Sequence, residues 1–224
     1  MTIDENLKAL TDGIFEAAMR ANRDPAEVKL IAVTKTVDEQ RIQQAIALGV
    51  SRIGENRVQE LLAKYDAYGS AEKHLIGQLQ TNKVKKVVGR VDLIHSVDRL
   101  NLAEEIDRCA KVSGIVCPVL IEVNVGKEAQ KGGVLPEELI DLAGKMLEMG
   151  NLKPMGLMTV PPVCERDEAR RYFAKLRRLL DDCNNALGAK MNELSMGMSA
   201  DYREGILEGA TYIRVGTGIF GKRL

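Results

Sequence analysis

Short apolar runs alternate with amphipathic segments of helical period along almost the whole chain. Eight runs rich in β-branched residues predict strands, at residues 30–34, 51–54, 74–77, 92–96, 118–125, 154–160, 192–196 and 211–215. Residues 38–48, 98–112 and 165–187 predict helices between them, and Asp38 and Asp98 are placed to cap the first two. Such alternation implies parallel strands joined by helical crossovers. Eight units favour a closed (β/α)8 TIM barrel, with an open doubly wound sheet as the alternative.

The two ends of the chain support the barrel. Nine residues follow Val215, too few for an eighth covering helix. Ahead of the first strand, one helical face carries Ile3, Leu7, Leu10, Ile14 and Ala17. Thr2 and Glu5 have the spacing of a capping box at its start. Because the first and last strands of a closed barrel are neighbours, this extra N-terminal helix can cover the last strand. We expect residues 1–224 to form a single domain, since no linker or low-complexity tract interrupts them.

Composition narrows the class of protein and of partner. Acidic and basic residues number 32 each, so the chain lacks the field of a typical nucleic-acid or membrane-surface binder. No stretch approaches the roughly 18 to 20 apolar residues of a spanning helix, and no secretory signal is visible. Cys109, Cys117, Cys164 and Cys183 show neither CxxC spacing nor the density of a disulfide scaffold. We therefore expect a cytoplasmic protein with a small-molecule ligand, no nucleic acid and no membrane.

Lys35 closes the first apolar run, Leu-Ile-Ala-Val-Thr-Lys, where the predicted strand leaves the core. Partial desolvation there penalises the ammonium form relative to the free amine. A lysine in such a place can attack an aldehyde or ketone and form a Schiff base. The alternative is that Lys35 ends the strand and extends its amine to water.

The loops after the seventh and eighth strands predict an anion site. Residues 195–201 are mostly small and lead into a short helix predicted at 200–208, with Ser199 as its N-cap. Residues 214–221, Arg-Val-Gly-Thr-Gly-Ile-Phe-Gly, hold three glycines that let backbone N–H groups approach an anion closely. In TIM barrels these two loops commonly bind phosphate, and the active site lies at the carboxyl ends of the strands. A strand-end lysine opposite a phosphate site suits pyridoxal 5′-phosphate (PLP), with Arg214 facing its pyridine nitrogen.

The remaining polar strand ends are rich in amides rather than acids, and no metal-ligand spacing occurs. His74 and His95, the two histidines, border apolar strands and are predicted to be packed and hydrogen-bonded. Tyr202 is the tyrosine nearest the predicted anion loops, and we expect it to pack.

Six collinear motifs that span most of the chain resemble one known family. They are residues 32–36 (AVTKT), 54–60 (GENRVQE), 74–83 (HLIGQLQTNK), 156–159 (GLMT), 194–199 (LSMGMS) and 214–221 (RVGTGIFG). Together they resemble the pyridoxal phosphate homeostasis proteins, the YggS/PROSC family. The resemblance implies a barrel of the alanine racemase N-terminal type, the PLP fold type III, with PLP held by Lys35 as an internal aldimine.

The resemblance also implies a set of cofactor-binding residues: Lys35, Asn56, Met198, Ser199, Arg214, Gly216 and Thr217. Ser199, Gly216 and Thr217 would contact the phosphate, with help from the backbone near Met198. Asn56 would line the pocket. Arg214 would lie at the pyridine nitrogen, where its charge opposes ring protonation and weakens the cofactor as an electron sink.

Three functional classes are compatible with such a site. The first is a PLP-binding protein of intracellular PLP homeostasis, a monomer that buffers the cofactor or carries it to apo PLP-dependent enzymes. The second is a racemase-like or decarboxylase-like enzyme, but alanine racemases use a second domain that supplies a catalytic tyrosine, and none is visible here. The third is a Schiff-base aldolase, whose lysine usually lies on a late strand. The sequence favours the carrier, with no catalytic residues and with the racemase-like enzyme as the alternative.

Overall fold

Eight parallel strands close into a barrel in chain order in the computed structural model, which describes residues 2–221. The strands are β1 Lys29–Val33, β2 Arg52–Glu55, β3 Glu72–Leu75, β4 Leu93–Val97, β5 Cys117–Glu122, β6 Leu152–Met158, β7 Glu193–Met198 and β8 Tyr212–Val215. Closure is made by β8 pairing with β1, which sets Ile31 opposite Arg214. The predicted barrel is confirmed and the open sheet is wrong. Of the domain predicted over residues 1–224, residues 1 and 222–224 lie outside the described residues.

Helices follow most strands on the outside of the barrel. They are α1 Ile3–Arg20, α2 Glu39–Ala47, α3 Val58–Ala63, α4 Leu100–Ser113, α5 Leu139–Leu147, α6 Arg166–Leu187, α7 Tyr202–Leu207 and α8 Thr217–Phe220. Short 3-10 turns occur at Pro25–Glu27, Tyr65–Tyr68, Thr81–Lys86 and Pro136–Glu138. Within residues 2–221, no helix combines the length and the apolar character needed to cross a membrane.

The extra N-terminal helix, α1, begins with the predicted capping box. The Thr2 hydroxyl accepts from the backbone N–H of Glu5, and the Glu5 carboxylate accepts from the backbone N–H of Thr2. The predicted apolar face is buried. The helix packs against α2, α7 and α8, and Asn6 donates to the backbone carbonyl of Ile219 at 2.9 Å. It therefore covers the wall where the last strand meets the first, as predicted.

Two predicted helix caps are wrong, because the side chains have other partners: Asp98 pairs with its neighbour Arg99 at 2.5 Å, and Ser199 bonds to the loop after β8. Arg99 stands at the N-cap of α4, and Asp98 instead accepts from the backbone N–H of Gly133. Asp201 stands at the N-cap of α7, so Ser199 lies outside that helix. Asp38 does cap α2, accepting from the backbone N–H of Arg41.

Apolar and polar residues are both buried inside the barrel. Ile31, Leu93, Leu120, Met158 and Tyr212 form a small apolar cluster, separate from the larger core between strands and helices. Buried polar side chains accompany it, and they are His74, His95, Ser195 and Arg214. Buried polar groups are costly unless they are hydrogen-bonded. This polar set therefore depends on the internal hydrogen bonds of the site described next.

Candidate functional site

Lys35 lies in a tight turn directly beyond the carboxyl end of β1. The backbone N–H of Val37 donates to the carbonyl of Thr34 at 2.9 Å, which closes a four-residue turn with Lys35 as its second residue. The third residue, Thr36, has a φ of +63°. A β-branched residue seldom adopts this conformation, which in turns is usually taken by glycine or asparagine. The turn presents Lys35 at the mouth of the barrel.

Lys35 and the glycine-rich loop after β8 line one cavity of ≈ 470 Å³. Gly216 and Thr217 belong to that loop, and a Cβ at Gly216 would lie 3.3 Å from the backbone carbonyl oxygen of Val33 in β1. Arg41 and Phe220 also line the cavity, and sequence reasoning missed both. Arg41 donates to the backbone carbonyl of Phe220, and its guanidinium lies 5.7 Å from the centre of the Phe220 ring. Arg41 belongs to α2 rather than to a strand end, and its only sequence signal is that α2 begins close behind Lys35.

Ser199 joins the two predicted anion loops. Its hydroxyl oxygen accepts from the backbone N–H groups of Gly216 and Gly218, at 3.3 Å each. A Cβ at Gly218 would lie 2.7 Å from the Val215 side chain, so the close contact between Gly218 and Val215 requires glycine. The N–H of Met198, by contrast, donates to the Asp201 carboxylate at 2.6 Å. The loops after β7 and β8 therefore converge, as the sequence predicts, although Ser199 serves as an acceptor and not as a helix cap.

Arg214 is the buried cation of the site. Its guanidinium donates to the Ser195 hydroxyl at 2.5 Å and to the backbone carbonyl of Thr159 at 2.8 Å. Only 4% of the residue is exposed, and this desolvation lowers the pKa of Arg214 to about 10, against the opposing charges of Glu122 and Asp201. Arg214 therefore stays a cation at neutral pH.

The two histidines continue the hydrogen bonds of Arg214 into the barrel. Nδ1 of His95 lies 2.9 Å from the Ser195 hydroxyl, and its Nε2 lies 2.9 Å from Nδ1 of His74. Burial lowers the pKa of His74 to about 4 and holds the pKa of His95 well below its ordinary value. Both rings are therefore neutral at pH 7, which confirms the prediction that they are packed and hydrogen-bonded.

Of the predicted residues, Lys35, Gly216 and Thr217 line the Lys35 cavity, and the others do not: Asn56, Met198, Ser199, Tyr202 and Arg214. Asn56 lines a neighbouring cavity of ≈ 510 Å³ together with Gln78 and Lys83, and its contact with a ligand stays a prediction. Tyr202 packs against α1, so closely that a Cβ at Gly13 would lie 2.2 Å from its hydroxyl oxygen. Tyr202 is thus part of the packing, as predicted.

The cavity combines a primary amine, hydroxyl groups and glycine-rich backbone, and the buried Arg214 lies in β8, the strand that leads into the loop of Gly216 and Thr217. Amines attack carbonyl carbons, and backbone N–H groups in glycine-rich loops bind anions. Among residues 2–221, no group of three or more His, Cys, Asp or Glu side chains could hold a metal ion. The arrangement suits a small aldehyde or ketone that also carries a phosphate or similar anion.

Comparison with known proteins agrees with this geometry. Residues 6–223 match the family described as the alanine racemase N-terminal domain. A pyridoxal phosphate homeostasis protein of Aquifex aeolicus is 48% identical over 226 residues, which cover 100% of this chain and 99% of the relative.

Solved structures are also similar to this chain. PipY of Synechococcus elongatus, solved with PLP bound, is 35% identical, with a TM-score of 0.86 over 98% of this chain and 100% of PipY. An alanine racemase of Clostridium difficile has a TM-score of 0.74 at 14% identity and is covered over 56% of its length. At that identity the likeness extends to the fold alone.

Proposed function

This chain belongs to the pyridoxal phosphate homeostasis protein family, and from that membership we propose that it binds PLP on Lys35 and holds it as a cytoplasmic buffer or carrier. PipY, which resembles the chain along its full length, was solved with PLP bound. The four cysteines are free thiols, in keeping with a reducing compartment. The carrier requires an attachment point and an anion site but no acid-base machinery.

One observation carries the proposal: Lys35 and the glycine-rich loop of Gly216 and Thr217 line a single cavity of ≈ 470 Å³. Ligand pockets of roughly 300 to 1,000 Å³ suit small cofactors, so the residues present fit PLP in size. They also fit its chemistry, with an amine for the aldehyde and hydroxyl and backbone N–H groups for the phosphate. Lys35 would hold the aldehyde carbon of PLP through a carbon–nitrogen double bond, and the aldehyde oxygen would leave as water with the two hydrogens of the neutral amine.

The other site residues take roles that follow from their positions. We propose that Ser199 and the backbone near Met198 complete the phosphate site, and that Asn56 borders the pocket from the side of β2. We propose that Arg214 meets the pyridine nitrogen, because it is a buried cation in β8, two residues before the cavity-lining Gly216. PLP supplies an electron sink when bound, and a cation at its ring nitrogen weakens that sink. Arg214 therefore favours holding the cofactor over using it.

The racemase-like alternative needs an acid-base group on the side of the cofactor opposite Lys35. Tyr202, the tyrosine nearest the cofactor loops in the sequence, packs against α1 instead. We therefore place the carrier first, and turnover of amino acids is the result that would reverse the order.

The test of binding is reconstitution of the purified protein with PLP, followed by borohydride reduction and mass spectrometry of its peptides. We expect visible absorption and a reduced adduct on Lys35, with both lost in Lys35→Ala. Lys145→Ala is the matched control, because Lys145 is exposed on α5, pairs with Asp141 and should leave both signals unchanged. A wild-type protein that takes up no PLP would refute the proposal.

Two further assays separate carrier from enzyme. The PLP-loaded protein should restore activity to an apo PLP-dependent enzyme, while a panel of amino acids shows no racemisation, decarboxylation or transamination. Robust turnover in that panel would favour the racemase-like enzyme. We also propose that the protein is a monomer, which light scattering coupled to size-exclusion chromatography will test.

A further inference from the structure

A closed set of hydrogen bonds surrounds the backbone on both sides of Lys35. Lys64 lies one residue beyond the end of α3, and its ammonium donates to the carbonyl of Thr34 at 2.9 Å and to the Glu60 carboxylate at 3.2 Å. The same Glu60 oxygen accepts from the backbone N–H of Thr36 at 2.9 Å. The residue before Lys35 and the residue after it are therefore tied to one ion pair.

A buried carboxylate supports this ion pair from below. Glu55, the last residue of β2, is 1% exposed. Its Oε1 accepts from the Thr34 hydroxyl at 2.7 Å, from the Tyr68 hydroxyl at 3.0 Å and from Lys64 at 3.1 Å. Lys64 thus has three acceptors, one for each of its ammonium hydrogens. We call Glu55, Glu60 and Lys64 the clamp.

The turn that the clamp holds is one that its own sequence disfavours. Thr36 has a φ of +63°, and a threonine at this third position of a turn is strained where a glycine would not be. Strained backbone persists only when its surroundings hold it. The bond from Thr36 to Glu60 does so, and accepting that N–H lowers the pKa of Glu60, so its carboxylate is charged at neutral pH.

We propose that the clamp positions Lys35 for bond formation with the aldehyde of its ligand, and that Lys64 is the positioning residue at its centre. The proposal rests on the proposed function, since it assigns supporting hydrogen bonds to the turn of the lysine that would hold PLP. Covalent chemistry depends steeply on how the reacting atoms are placed. No clamp residue lines the cavity itself, and the clamp bonds to the backbone of Thr34 and Thr36, so we expect it to act on the Lys35 amine and not on the phosphate.

The decisive comparison uses two ligands of the same site. PLP reports attachment to Lys35, whereas pyridoxine 5′-phosphate carries a hydroxymethyl group in place of the aldehyde and reports the remaining contacts alone. In Lys64→Met we expect attachment of PLP to slow by about tenfold or more. The affinity for pyridoxine 5′-phosphate should stay within about twofold of wild type, a change too small to mark a damaged site.

Lys145→Met is the matched control. Lys145 pairs with Asp141 at the same helical spacing of four residues, on the exposed face of α5, and its loss should leave both ligands unaffected. Thr36→Gly provides the rescue, because glycine takes the positive φ without the clamp. Added to Lys64→Met, it should restore most of the attachment rate.

The results separate this proposal from the one it rests on. Wild-type protein that binds neither ligand refutes the proposed function. Wild-type attachment with an equally fast Lys64→Met variant refutes the clamp alone. If the variant binds neither ligand and also melts at a lower temperature, the role of Lys64 is purely structural, which also overturns the proposal. If Lys64→Met does not fold, Glu60→Gln is measured in the same way, and unchanged attachment there counts against the clamp.

Discussion

Substitution of Glu122 by glutamine should stabilise this protein in a strongly pH-dependent manner. Glu122 ends β5, and its Oε2 is buried without a hydrogen-bond partner among residues 2–221. Burial raises the pKa of Glu122 to about 7, and the negative charge of Asp98 adds to the effect while Arg214 opposes it. In the unfolded chain the same carboxyl has its ordinary pKa of 4.5. At pH values between these two pKa values, Glu122 therefore keeps its proton in the folded protein and loses it in the unfolded chain.

The two pKa values set the size of the effect. Between 4.5 and about 7 the folded state binds more protons than the unfolded state, so the free energy of unfolding falls as pH rises. Above the folded pKa, the total loss in free energy of unfolding amounts to about 3 kcal/mol, which is a large share of the stability of a typical domain. Glutamine has nearly the same shape and carries no charge to desolvate. The free energy of unfolding of the variant, relative to that of wild type, should therefore rise by about 3 kcal/mol between low and high pH.

Urea unfolding of both proteins at several pH values between about 4 and 9 measures this difference directly. The buried histidines titrate in both proteins, so their contribution cancels in the comparison. We expect the stability of the variant relative to wild type to rise with pH and to level off above the folded pKa. A difference that stays constant within about 0.5 kcal/mol over this range would refute the reasoning.

Three further outcomes follow from particular contacts. His74, whose pKa burial lowers to about 4, should make the protein lose stability as pH falls from 6.5 towards 4, and urea unfolding of His74→Gln should show a shallower loss. Thr2→Ala removes the capping box of α1 and should lower the free energy of unfolding by about 1 kcal/mol; an unchanged urea midpoint would contradict the role of the cap. Ser199→Ala removes the acceptor that joins the two anion loops and should weaken calorimetric binding of pyridoxine 5′-phosphate by about tenfold with little change in melting temperature, whereas unaltered affinity would remove Ser199 from the phosphate site.

Prediction from the sequence succeeded where local pattern and global fold agree. The eight apolar runs mark eight strands because burial on both faces of a parallel sheet demands continuous β-branched stretches. Their ends differ from prediction by a few residues, as with β6, predicted at 154–160 and observed at Leu152–Met158. The cap at Ser199 failed because its hydroxyl has partners in a distant segment, which local pattern cannot reveal, whereas the Asp98 carboxylate pairs with the adjacent Arg99.

The site likewise has a part that the sequence predicted and a part that only the structure showed. Lys35 and the loop that holds Gly216 and Thr217 could be named from sequence, since a barrel of known strand order brings the ends of its first and last strands together. The residues that support Lys35 could not be named from the sequence. Lys64 is a surface-type residue in a helical segment, and its spacing from Glu60 is the only sequence feature that indicates their ion pair.

Strand order, closure of the barrel and the meeting of Lys35 with the loop of Gly216 and Thr217 were therefore present in the pattern of residues along the chain, because periodicity and turn chemistry act over short distances. The strained turn of Thr36, the hydrogen bonds that hold it, and the raised pKa of Glu122 arise only when distant groups meet away from water. Desolvation and hydrogen-bond geometry depend on three-dimensional neighbours, and a sequence pattern contains neither.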